Sequence, residues 1–147
     1  MRNIAEVSPK IFLEFITDNI NKLEWLFEVW DSFMWWKWNY TNLLWSLEIL
    51  SWNSEYTVNV VELLFQLDEI YDSEVPNNHV NRPFWTLQEI FILWRNNTTL
   101  DIDNRIKLLK NNSKKYEQRV FNLLISLFNI EKLYEDTWDN VISTFVN

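Results

Sequence analysis

TNLLWSLEILSWNSEYTVNVVELLFQLDEIY, residues 41–71, holds two helical patterns back to back. In the first, Leu43, Leu44, Trp45, Leu47, Ile49 and Leu50 are apolar on nearly every side, the pattern of a helix buried in a core. Trp52-Asn53 closes it, and Asn53 or Ser54 supplies the small polar side chain that caps the next helix. The second helix carries Val58, Val61, Leu64, Phe65 and Ile70 at helical spacing and runs to about Tyr71. Two helices joined by so short a connection pack side by side and run in opposite directions.

Working outward, the same punctuation recurs. Ser8-Pro9 reads as a cap followed by proline at the first helical position, which opens a helix over about 9–24 with Ile11, Phe12, Phe15, Ile16, Ile20 and Leu23. Residues 1–7 read as a frayed helical end. Residues 25–38 have no clean period and read as an irregular or short-helical connector, and residues 72–82 as a polar loop. Pro83 opens a helix with Leu87, Ile90, Phe91 and Trp94, and a turn at Asn96–Thr99 leads to a helix carrying Ile102, Ile106 and Leu109. A turn at Asn111–Ser113 precedes a helix with Tyr116, Val120, Leu123, Leu124 and Leu127, and a last helix carries Leu133, Val141, Ile142 and Phe145. No alternating apolar pattern of β type persists. The expectation is one all-α domain over 1–147, with about seven antiparallel helices in an αα-hairpin array of α-solenoid type.

Composition supports helices and removes several function classes. The chain has 147 residues and no glycine. Phosphate-cradling loops, the dinucleotide fingerprint and the nucleophile elbow all need glycine. Asparagine tolerates left-handed backbone best among the other residues, so Asn53, Asn77, Asn78, Asn96, Asn111, Asn112 and Asn129 are expected to end helices in its place. Cysteine is also absent, which excludes disulfides, thiol nucleophiles and zinc–thiolate sites. A net charge of −8 opposes nucleic-acid binding and attachment to anionic lipid. The group Lys107, Lys110, Lys114, Lys115 and Arg119 reads as a solvated face. No window is long and apolar enough for a membrane span, and the N-terminus has no signal-peptide core, so a cytoplasmic chain is expected.

Four stretches carry a resemblance: VSPKIFLEFI (7–16), LLWSLEILSWNSEYTVNVVELLFQL (43–67), NRPFWTLQEIFILWRNNTTLDIDNRIKLL (81–109) and VFNLLISLF (120–128). Together, in order, they resemble a helical-repeat region of large bacterial multidomain proteins of the STAND-type ATPase or defence kind. The matching positions are Leu43, Leu44, Trp45, Leu47, Glu48, Ser51, Trp52 and Tyr56, then Asn81, Arg82, Pro83, Thr86, Leu87, Ile90, Phe91, Trp94, Thr98 and Arg105. The resemblance implies a scaffold or sensor array beside an effector or ATPase module, in a fragment of such a protein. The chain departs from that pattern in lacking any nucleotide-binding part, so it implies no ATPase activity here. It also has Asp72–Val80 where a glycine turn is expected, and Ser54 or Glu55 in place of a proline.

Few residues carry candidate chemistry, and each has a structural reading beside the functional one. Arg82, at a loop-to-helix junction, either bonds carbonyls of the preceding loop or contacts an anionic ligand or partner. Asp68, Glu69, Asp72 and Glu74, with His79 nearby, read as a solvated acidic face, because no calcium-loop spacing accompanies them. Glu48 lies within the most apolar helix and is expected to pair with Arg82 or Arg105. Phe33, Trp35, Trp36, Trp38 and Tyr40 are too many consecutive aromatics for one core, which points either to a partner surface or to an irregular core plug.

No catalytic residue, metal ligand or cofactor is assigned. The expected function is a non-catalytic scaffold or sensor module acting on a protein partner or a homo-oligomer through Phe33, Trp35, Trp36, Trp38 and Arg82. The alternative is a small acidic inhibitor, of the immunity-protein or antitoxin type, that masks a basic partner with Asp68, Glu69, Asp72 and Glu74.

Overall fold

The structure is a computed structural model that describes residues 2–26, 35–74, 81–92 and 97–129. Among these the chain is all-α, with no strand. Its helices are α1 (Arg2–Val7), α2 (Pro9–Asn19), α3 (Trp35–Ser51), α4 (Ser54–Tyr71), α5 (Pro83–Phe91), α6 (Ile102–Ser113) and α7 (117–129). Short 3-10 segments follow α2 at Ile20–Leu26 and α4 at Asp72–Glu74. The expected last helix, with Leu133, Val141, Ile142 and Phe145, lies outside the described residues.

The helix pair read from residues 41–71 is the centre of the fold. α3 packs along α4, and α1, α2, α5 and α7 are arranged around them. Tyr40, Leu43, Leu44, Leu47 and Leu50 from α3 interlock with Val60, Val61, Leu64, Phe65 and Leu67 from α4, all of them buried. Asn53 caps α4 as expected: its side-chain oxygen accepts a hydrogen bond from the Glu55 N–H at 2.9 Å. Pro9 and Pro83 each stand at the start of their helices, where a missing N–H costs nothing. Ser8 makes no side-chain cap, so proline alone marks the start of α2.

Several boundaries differ from the expectation, each for a physical reason. Residues 2–7 are a helix, anchored by the buried Ala5. The helix expected over 9–24 leaves α geometry after Asn19, with Lys22 at φ −123°, ψ 15°. Tyr71 accounts for the break. Its buried hydroxyl donates to the Ile20 carbonyl at 2.6 Å and accepts from the Leu23 N–H at 3.0 Å, so one phenol satisfies two backbone groups that the kink frees. Tyr71→Phe is therefore expected to lower stability by roughly 1–3 kcal/mol, measurable by urea titration.

The expected connector also ends earlier than read, because helix α3 already begins at Trp35. Asn111–Ser113 is not a turn. Those residues complete α6, with the Asn112 amide bonded to the Leu108 carbonyl at 2.9 Å, and the turn falls at 114–116. Among the described residues none has positive φ, so Asn53, Asn111, Asn112 and Asn129 do not take the place of glycine in left-handed backbone; Asn77, Asn78 and Asn96 lie outside the described residues. The helices instead close through right-handed caps such as Ile20, Asp72 and Lys114.

Polar side chains tie distant segments together. The 97–100 turn is fastened to the α3–α4 turn by Thr99 N–H to the Trp52 carbonyl (3.0 Å), Ser54 N–H to Thr99 Oγ1 (2.9 Å) and a Thr57–Thr98 hydroxyl pair (3.1 Å). Arg105, 6% exposed, donates to the Leu100 carbonyl at 2.9 Å and the Ile92 carbonyl at 3.2 Å. These are carbonyls of a connection that helical bonding leaves open.

Candidate functional site

Two features of the folded chain have the makings of a site, a charged cluster beside α4 and the outer faces of the flanking helices. The cluster is built first by the register of α4. Thr57, Val61, Leu64, Asp68 and Tyr71 fall on one buried stripe, so Asp68 enters the core while Glu69 stays outside. Asp68 is 1% exposed. Arg119 of α7 meets it at 3.0 Å and also reaches Glu69 at 3.3 Å and Asp72 at 3.4 Å. Arg82 closes the other side of Asp72 at 2.6 Å.

Burial pushes the Asp68 carboxyl up to about 6, Arg119 pulls it back down, and the charge of Asp72 adds to the rise. The same environment holds the neighbouring Tyr40 phenol well above its ordinary value, through burial first and then the charges of Asp68 and Asp72. Asp68 Oδ1 is buried without a hydrogen-bond partner, which adds to the cost of the charge.

A carboxyl with a native pKa near 6 binds more protons folded than unfolded between about pH 4 and pH 6. Its contribution therefore makes stability fall as pH rises through that window. Asp68→Asn is expected to remove this slope and to raise stability at pH 8 by roughly 2 kcal/mol, measured by denaturant titration at several pH values.

This cluster changes two expectations. The expected solvated acidic face is divided: Asp68 is buried and Asp72 half-buried, Glu69 stays exposed, and Arg119 meets all three; the side chain of Glu74 and His79 lie outside the described residues. Arg119 belongs to no solvated basic face, because it is a structural tie. Glu48 is only half-buried, and the deeply buried carboxylate is Asp68, twenty positions further along the chain. Arg82 bonds Asp72 and Arg105 bonds two carbonyls; Asn81 reaches Thr41 at 3.4 Å. Among the described residues no group of three or more His, Cys, Asp or Glu is arranged to hold a metal.

Among the described residues, two open grooves stand out. One lies between α2 and α4, around Lys10, Glu14, Thr17, Asp18, Glu55 and Asn59, with Lys10 and Glu55 paired at 3.2 Å. The other lies between α5 and α7, around Phe84, Trp85, Gln88, Ile125, Ser126 and Asn129, and is crossed by a Gln88–Ser126 hydrogen bond. Neither is lined by Asp68, Glu48 or Arg82.

The second groove borders a broad apolar face. On α7, Val120 and Leu123 point into the core while Phe121, Leu124, Ile125 and Phe128 stand 46–67% exposed, with Trp85 of α5 at 52% alongside. Five such residues present roughly 500 Å² of apolar surface, at the upper end of what an ordinary monomer shows in one patch. Ile4 and Val7 of α1 and Ile11 and Phe15 of α2 are exposed as well.

The aromatic assignments shift accordingly. Trp45, read as part of a buried helix, is 42% exposed, and Trp52, which closes that helix, is 59% exposed. Ile11, Phe15, Ile102 and Ile106, read as inward, also face out, and Arg105 and Leu108 fill the inner side of α6. Phe33 and Trp94 lie outside the described residues. Trp35, Trp36 and Trp38 lie in the first turn of α3, with their side chains outside what is described.

No helix among the described residues is long and apolar enough to cross a membrane. No protein-family model matches the chain, and comparison with curated proteins and with solved structures finds no match.

Proposed function

We propose that the chain is a non-catalytic helical scaffold or sensor module that works by protein–protein contact. One observation carries this reading. α7 is apolar on two sides, and among the described residues only one of them packs into the core. A helix of that kind needs a second neighbour to bury its other side.

The charged groups fit a framework role. Asp68, Asp72, Arg82 and Arg119 join α4, α5 and α7 from within. Thr98 and Arg105, two landmarks of the resemblance to bacterial helical-repeat regions, tie turns to helices in the same way. The resemblance supports a repeat-type scaffold on this ground, as polar residues that hold successive helical hairpins together. Three of the four carboxylates that the inhibitor alternative would use, Asp68, Glu69 and Asp72, are engaged by Arg82 or Arg119, which favours the scaffold reading.

The test is a photo-crosslinking amino acid placed at Phe128 and, separately, at the exposed Ile70 of α4, in the full chain inside its native cells. Recurrent crosslinks from position 128 to a defined protein, and far fewer from position 70, are expected. Equal and diffuse labelling from both positions overturns the reading.

A further inference from the structure

We draw no further inference here: the strongest candidate, the exposed apolar face of α7 formed by Phe121, Leu124, Ile125 and Phe128, carries nothing, because residues 130–147, which directly follow α7, lie outside the described residues and nothing in the structure shows what covers that face.

Discussion

Arg119→Ala is expected to cost roughly 3 kcal/mol of stability at pH 8, because it leaves the Asp68 carboxylate charged, buried and unpaired. Arg119 is the guanidinium that meets Asp68, and it holds Glu69 and Asp72 as well. The loss should depend on pH with a definite sign. With Arg119 gone, nothing comparable pulls the Asp68 carboxyl down, so it rises further above 6 and takes up a proton as pH falls. Once protonated, Asp68 no longer needs its cation. The cost at pH 5 should be well under the cost at pH 8. Urea titrations of wild type and variant at the two pH values measure it, and an equal cost at both would show that Arg119 acts by packing alone. The double variant Arg119→Ala/Asp68→Asn should recover most of the loss at pH 8, since it removes the charge that Arg119 compensates.

Phe65→Ala is expected to be at least as damaging, at about 3–5 kcal/mol. Phe65 is fully buried at the middle of α4 and stacks on Tyr116 with ring centroids 5.5 Å apart and planes 11° from parallel. Its removal opens a cavity between α4 and the start of α7, two elements that the core cannot easily draw together, because Lys115–Glu62 and Arg119–Asp68 set their separation. Denaturant unfolding gives the size of the effect. Amide exchange gives its location, with protection expected to fall first in α7. A uniform loss of protection along the chain would instead mean that the stack serves the whole core and not this one junction.

Both predictions concern residues separated by some fifty positions, and this explains what the sequence could and could not reveal. The start of α4 at Ser54 after the Asn53 cap, its end at Tyr71 and the start of α5 at Pro83 were all legible, because a cap or a proline acts on its own turn. Asp68 carried a readable signal that was missed. Its spacing from Leu64, Val61 and Thr57 puts it on the buried stripe, whereas its neighbours Glu69 and Asp72 made it look like part of an acidic surface. Arg119 carried none, since its partner lies 51 residues away. The outward turn of Ile11, Phe15 and Trp45 was equally illegible. Each sits in a helix with more apolar positions than one face can hold, and spacing alone does not say which face meets a neighbour.

Sequence by itself thus determined the all-α class, the pairing of α3 with α4 and the exclusion of chemistry that depends on glycine or cysteine. These follow from local spacing, from short connections and from which residue types are present. Only the tertiary structure decided which carboxylate is buried, which arginine compensates it, why α2 breaks at Ile20 and which apolar stripes remain outside. Those outcomes depend on what another part of the chain brings into contact: the Tyr71 hydroxyl at Ile20, Arg119 at Asp68, and at the outer stripes of α2 and α7 no described part of the chain.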